Sequence, residues 1–332
     1  MMRQLCISAI AATILFSTSA EAQKVKFATL APEGTLYYDA LREMADSWHE
    51  TSQGRVVLKI FPGGIAGDEG DIVRKMRIGQ IQAALMTGGG LADIAPEVRV
   101  LQMPMMFANF EELDFVRDRV KSRIEAAIEK QGFKVLGWAD VGWLYFFSQI
   151  PIVHPDDLKP LKLFAWTGNT TFLEAWKDLG YRPVPMSVTD IHLGLASKLI
   201  NVVVVPPIGA LSFQWFALAK HMTDLKFAPL VGAIIVALKT WEAIPADLRP
   251  ELQQAANRAS RRMQGGRDLN DKAIRVMQEH GLVIHAVPKD IKKLWETRAR
   301  LAYPRLTRNA IPADLAAEVE ALRNAYREQH GR

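Results

Sequence analysis

Cysteine is nearly absent from this sequence: the single one, Cys6, stands at the head of an N-terminal apolar stretch. A chain processed beyond that stretch has none, which excludes disulfides, thiolate metal sites and a cysteine nucleophile. Lipid attachment at Cys6 is not expected, because a lipoprotein cysteine follows the apolar run. There is no G-x-S-x-G, no H-E-x-x-H and no P-loop. The seven histidines (His49, His154, His192, His221, His280, His285 and His330) include no pair at metal-ligand spacing on one helix face. The adjacent acids Glu111-Glu112 and Asp156-Asp157 read as acidic helix starts, favoured by the helix dipole. Beyond the N-terminus long uncharged runs are lacking; 202–205 and 231–238 are apolar but short, as buried strands are. Charge of one sign is not gathered anywhere. The net charge is +5, yet bases and acids alternate, as in Arg117-Asp118-Arg119, whereas a nucleic-acid protein concentrates its cations in a stripe. The reading is a mildly basic solvated surface, with no nucleic-acid partner, no metal and no cofactor.

What is present begins with an export pattern. Arg3 precedes a mostly apolar run over 5–16, and Ala20-Glu21-Ala22 supplies small residues at a cleavage site. Residues 1–22 are therefore expected to be a signal peptide, leaving a periplasmic chain that starts at Gln23. The full sequence of 332 residues is 49% hydrophobic, enough for a sizeable core and for two domains.

Strands are expected over 24–30, 55–61 and 82–86, with helices over 35–51 and 68–79 between them. This βαβαβ order implies a parallel sheet with helices on its faces. A charged helix over 111–131 leads to strands at 133–139 and 144–150. From Leu161 the alternation restarts: a strand, helices over 170–179 and 188–197, and strands at 200–205 and 231–238. The segment 245–278 reads as helical throughout unless Pro250 divides it. A restart midway argues for two lobes, and strands crossing between them would make a hinge. The expected division is 23–143 with 231–280 in lobe I, and 144–230 with 281–332, including C-terminal helices, in lobe II.

Two glycine-rich loops follow strands. The first, 62–68, reads as a tight turn. The second, Thr87-Gly88-Gly89-Gly90, ends a strand and starts a helix. Ligands in α/β sheets sit beyond strand C-termini, so Thr87 and Gly88 are expected at a ligand, with backbone N–H groups available to it.

The order of short motifs resembles a known family. These are Thr51-Ser52-Gln53-Gly54-Arg55-Val56, Ile60-Phe61-Pro62-Gly63-Gly64 with Gly67, Gly79-Gln80-Ile81-Gln82-Ala83-Ala84, Met103-Pro104-Met105-Met106-Phe107, Gly132-Phe133-Lys134-Val135-Leu136-Gly137, Pro155-Asp156-Asp157-Leu158-Lys159 and Leu179-Gly180-Tyr181-Arg182-Pro183-Val184-Pro185-Met186, with Trp241 before a long helix. Over 24–258 the chain resembles the substrate-binding subunits of TRAP transporters, the tripartite ATP-independent periplasmic systems. The resemblance implies an α/β, two-lobe periplasmic binding fold of type II-like form, with hinge strands and a central cleft. It implies a small-molecule ligand and delivery to integral membrane subunits, without catalysis or a cofactor, and leaves room for an additional periplasmic partner protein.

The departures point to the ligand. Where family members carry a carboxylate-clamping arginine after Leu-Lys-Ile, this chain has Phe164 in Leu161-Lys162-Leu163-Phe164-Ala165-Trp166. A second arginine expected after a glycine upstream is missing from Gly142-Trp143-Leu144-Tyr145-Phe146-Phe147. A buried carboxylate needs such a partner, so a largely apolar or aromatic ligand is expected. The candidate wall is Trp143, Tyr145, Phe164, Trp166, Val205 and Trp215. Strand alternation lets only part of the 143–147 run face the cleft. Alternatives are a relocated clamp at Arg99 or Arg182 serving an organic acid, a carrier of hydrophobic cargo or lipid without a permease, and a periplasmic enzyme on the same fold.

Overall fold

The computed structural model describes residues 22–168, 170–309 and 311–331. The expected signal peptide, with Cys6, falls outside them except for Ala22. In the first lobe β1 (Gln23–Thr29), α1 (Leu36–Thr51), β2 (Val56–Phe61), α2 (Glu69–Arg77) and β3 (Ala83–Thr87) follow one another as the periodicity predicts. β1 lies between β2 and β3, parallel to both. The Thr35 side chain caps α1 by accepting from Tyr38 N. Asp68 and Asp71 form a reciprocal capping box at α2. A short α3 (Gly88–Ile94) and a 3-10 helix (Pro96–Gln102) lead to α4 (Phe110–Lys130), capped by Asn109.

The next element is a single strand, β4 (Phe133–Ser148), where the sequence suggests two. Its register shifts between Val135 and Gly137 and again between Asp140 and Gly142. Gly142 has φ of 142°, which a residue with a Cβ rarely adopts. The glycine that reads as a break is thus a bulge inside a continuous ladder. β4 joins both lobes, pairing along most of its length with β9 (Ala228–Ala237) and at its end with β7 (Val202–Val205).

The second lobe holds β5 (Lys162–Trp166), α5 (Thr170–Asp178), β6 (Arg182–Met186), α6 (Ile191–Ala196), β7, α7 (Pro207–Ser212) and β8 (His221–Asp224). β9 returns to the first sheet, antiparallel to β3 and β4, giving the order β2-β1-β3-β9-β4-β7-β5-β6. After it come α8 (Leu238–Ala243), α9 (Arg249–Gln264) and α10 (Gly266–Glu279). The expected helix over 245–278 starts at Arg249 and breaks at Gly265. Pro250 sits in the first turn of α9, where its missing N–H costs nothing. β10 (Val283–Ala286) pairs with β8 and brings His221 Nδ1 within 2.9 Å of His285 Nε2. No third His, Cys or acid completes a metal set among the described residues. Finally α11 (Lys289–Asn309) packs on α5, and α12 (Ala313–Gln329) packs on α4. Residues 313–329 were expected with the second lobe; Arg123–Asp314 and Arg327–Glu112 ion pairs hold them to the first.

The first lobe's core lies between its sheet, α1 and α9. Trp48 is fully buried there, donating its indole N–H to the Leu252 carbonyl at 3.0 Å. The second lobe's core gathers Phe146, Phe227 and Trp295, with ring centroids 5.0 Å apart in two pairs. At the bulge of β4, the fully buried Asp140 accepts from Arg117 Nη1 at 2.6 Å and from Arg267 Nη2. Asp114 accepts from both arginines as well. Burial alone would pull the Arg267 guanidinium down, but these two carboxylates hold it above its ordinary range.

Candidate ligand-binding cleft

A cavity of about 280 Å³ opens between the two lobes. It is walled by the C-terminal ends of β1, β3, β5 and β7, by α5 and α7, and by the crossing strands β4 and β9. This is where an α/β sheet is expected to receive a ligand.

Of the eight residues singled out in the sequence, Thr87, Gly88, Phe164, Trp166, Val205 and Trp215 line this cavity together. Trp143 and Tyr145 do not. The bulge at Gly142 explains their absence. Ala139 and Val141 face the cavity; past the extra residue the alternation changes phase, and Leu144 faces it instead. Trp143 points away onto Phe110, with ring centroids 5.3 Å apart. Tyr145 is buried in the core, where burial raises its phenol pKa.

The aromatic wall is larger than the sequence suggests. Phe213 stacks on Trp215 at 4.7 Å and 13°, and Trp176 on Phe227 at 5.5 Å and 21°. Gln214, between the first pair, is left-handed with φ of 56°, which lets both neighbouring rings lie parallel. Trp176 and Phe172 come from α5, which the sequence marks as a helix without placing it at the site.

The glycine loop reaches the cavity, but the donors of Thr87, Gly89 and Gly90 are engaged within the protein. Glu69 Oε1 accepts from Thr87 N at 2.7 Å, and Oε2 accepts from Thr87 Oγ and Gly90 N, each at 2.8 Å. Gly89 N donates to Thr87 Oγ at 3.2 Å. Availability of these N–H groups to a ligand, expected from the sequence, is therefore reduced. Glu69 was not foreseen at the site. It reads as one more acid in a first helical turn, yet it lines the cavity with 1% exposure. Burial pushes its carboxyl up to about 8, against the opposing effect of the Thr87 and Gly90 hydrogen bonds.

Arg99 also lines the cavity, from the 3-10 helix. Burial lowers its guanidinium pKa while the Asp93 carboxylate opposes that, and its charge lies 6.0 Å from the Phe172 ring centroid. Arg182 is exposed on β6 and takes no part in the wall. Arg99 is the one cationic side chain among the described lining residues.

Known proteins share this architecture. A solved TRAP periplasmic solute-binding protein from Roseobacter denitrificans, holding β-D-glucuronate, superposes with a TM-score of 0.84 at 18% identity, covering 90% of this chain and 99% of that one. The 2,3-diketo-L-gulonate-binding periplasmic protein YiaO of Escherichia coli is 27% identical over 252 residues, 74% of each chain. The C4-dicarboxylate-binding periplasmic protein DctP of Rhodobacter capsulatus is 22% identical over 300 residues, 87% of this chain and 89% of its own. No helix among the described residues is long and apolar enough to cross a membrane. The model of the family described as bacterial extracellular solute-binding protein, family 7, matches residues 27–309, and the chain belongs to that DctP family of TRAP solute-binding proteins.

Proposed function

We propose that this protein captures a small ligand with a largely apolar or aromatic body and a single carboxylate, and delivers it to TRAP integral membrane subunits without transforming it. The observation that carries the reading is the wall itself: apolar and aromatic side chains from both lobes, with Arg99 as the one cation among the described lining residues. A carboxylate placed on Arg99 gains a charge-assisted hydrogen-bond partner. A second carboxylate would be buried without one, at a cost of several kcal/mol. Apolar surface laid on the remaining wall gains about 25 cal/mol per Å² removed from water.

The relatives support the carboxylate half of this reading. YiaO is named for 2,3-diketo-L-gulonate, DctP for C4-dicarboxylates, and the R. denitrificans protein holds β-D-glucuronate; each ligand is an acid. The volume bears on the carrier alternative. About 280 Å³ is nearly twice the roughly 150 Å³ apolar cavity that takes up benzene, and is too small for a two-chain lipid. The sequence pattern at Ala20-Glu21-Ala22 supports cleavage of a signal peptide and a periplasmic product starting at Gln23.

Calorimetry tests the ligand class. The panel comprises aromatic and branched monocarboxylates, their neutral amides, C4-dicarboxylates and uronic acids. We expect the tightest binding from an aromatic or branched monocarboxylate, and at least tenfold weaker binding of its amide. Submicromolar binding of a C4-dicarboxylate or a uronate, with no monocarboxylate comparable, overturns the reading.

A further inference from the structure

We propose that Asp68 is the positioning residue of the cleft: it fixes the Trp166 indole across the seam between the lobes and so sets how firmly they close. Asp68 precedes α2 on the first lobe, is 8% exposed, and does not line the cavity. Its two carboxylate oxygens divide their work. Oδ1 accepts from Glu69 N at 2.8 Å and so belongs to its own helix. Oδ2 accepts from three donors of the second lobe: Trp166 Nε1 at 2.9 Å, Ser187 Oγ at 2.8 Å and Val188 N at 3.2 Å. The Asp71 carboxylate accepts from the backbone N–H of Asp68 and steadies it.

Trp166 is held from a second side. A Cβ on Gly89 would fall 2.8 Å from its ring, so the indole lies directly on the first lobe's main chain. The same ring lines the cavity. One side chain of the second lobe thus meets the cavity, the glycine loop and Asp68. All three seam donors on Oδ2 are neutral, and each can exchange its bond for water when the lobes part. The contact is reversible where an arginine–aspartate cluster buried in the core would not be. Whatever rests on the indole meets a ring already set in place, so closure and affinity share one residue outside the pocket.

The inference rests on the cleft being the ligand site, but its test needs no ligand and fails separately from the ligand reading. In a chain starting at Gln23, which has no cysteine, His192→Cys on the exposed side of α6 carries a nitroxide label. Backbone amides of Gly63, Ile65 and Ala66, in the first-lobe loop where a Cβ on Gly64 would meet Thr189 Cγ2 at 3.0 Å, report its approach by paramagnetic broadening, which senses closed populations of a few per cent, the range typical of minor states. In the unliganded protein we expect the broadening to fall at least threefold in Asp68→Ala. Trp166→Phe, which keeps a ring and loses the N–H, should lower it less, and Asp68→Ala should then add less than it does alone. Where loss of the Asp68 cap unfolds α2, Ser187→Ala removes one donor from the other lobe and should lower the broadening in the same direction. No broadening in the parent overturns the proposal. So does equal broadening in parent and Asp68→Ala or, where that variant does not fold, in parent and Ser187→Ala, and so does an Asp68→Ala effect undiminished by Trp166→Phe.

Discussion

Asp140 on the crossing strand and Asp68 at the seam between the lobes are both buried aspartates, held in opposite ways. Asp140 is surrounded by charge: Arg117 and Arg267 both bond to it, and Asp114 shares the two arginines. Asp68 is surrounded by neutral donors, a peptide N–H of its own lobe and an indole, a hydroxyl and a second peptide N–H of the other. Removing one member of the first cluster strands a charge in a dry interior. Separating the members of the second exposes each to water. The same side chain is permanent in one setting and releasable in the other, and the difference lies in what its partners are.

That contrast is open to measurement, beginning with its largest effect. Arg267→Ala leaves Asp114 and Asp140 with Arg117 alone. It should lower unfolding stability by about 3–5 kcal/mol, the range for breaking a buried ion pair, read as a lower denaturant midpoint at unchanged slope. Phe164→Arg does the reverse at the cleft, putting a cation in the apolar wall that the ligand body is proposed to cover. It should weaken the best apolar-bodied ligand at least tenfold, about 1.4 kcal/mol, in calorimetry. Unchanged binding would remove Phe164 from the ligand wall.

Glu69 sharpens the comparison as a third buried acid, facing only neutral donors. Its carboxyl is pushed up to about 8 in the folded state from an ordinary 4.5. Between those values the folded state holds a proton that the unfolded state has released. Stability should therefore fall as pH rises from about 4.5 to 8, with a slope approaching 1.4 kcal/mol per pH unit. Glu69→Gln should flatten that slope in denaturation curves measured across the window. The smallest expected effect is on the stability of Asp68→Ala. Loss of a helix cap, and of seam bonds whose donors can turn to water once the lobes part, should cost about 1 kcal/mol, well short of Arg267→Ala. Equal losses in the two variants would erase the distinction.

The sequence speaks for these regions unequally. The first lobe's βαβαβ order is legible because each piece is local: Leu36, Ala40, Leu41, Met44 and Trp48 repeat at helical spacing within one segment. Thr87 and Gly88 are legible at the cavity because strand ends point at a ligand in this architecture, and Phe164, Trp166 and Val205 only through the resemblance, which marks their segments as pocket wall. Trp143 and Tyr145 mislead because a bulge changes which side of a strand is which, and Gly142 looks the same in sequence whether it ends a strand or bends one. Glu69 and Asp68 are hidden for another reason. Their partners Thr87, Trp166 and Ser187 lie 18 to 119 positions away, and nothing in a short window distinguishes such acids from ordinary helix caps. The placement of α12 on α4 is similarly non-local, carried by Arg123 and Arg327 ion pairs between distant segments.

The pairing of β9 with β3 has a consequence for how the chain can be made. Ala83 bonds opposite Val236 and Thr87 opposite Gly232, so the first lobe's sheet lacks an interior strand until most of the polypeptide is available. Long-range pairing of this kind slows folding, since a large loop must close before the contact rewards it. A nascent chain ending before residue 228 would carry β1, β2 and β3 with an open edge, and α1 without α9 to cover it. A cut at residue 143 would part β3 from β9 and split β4 itself, so each fragment would be left with an unpaired strand edge.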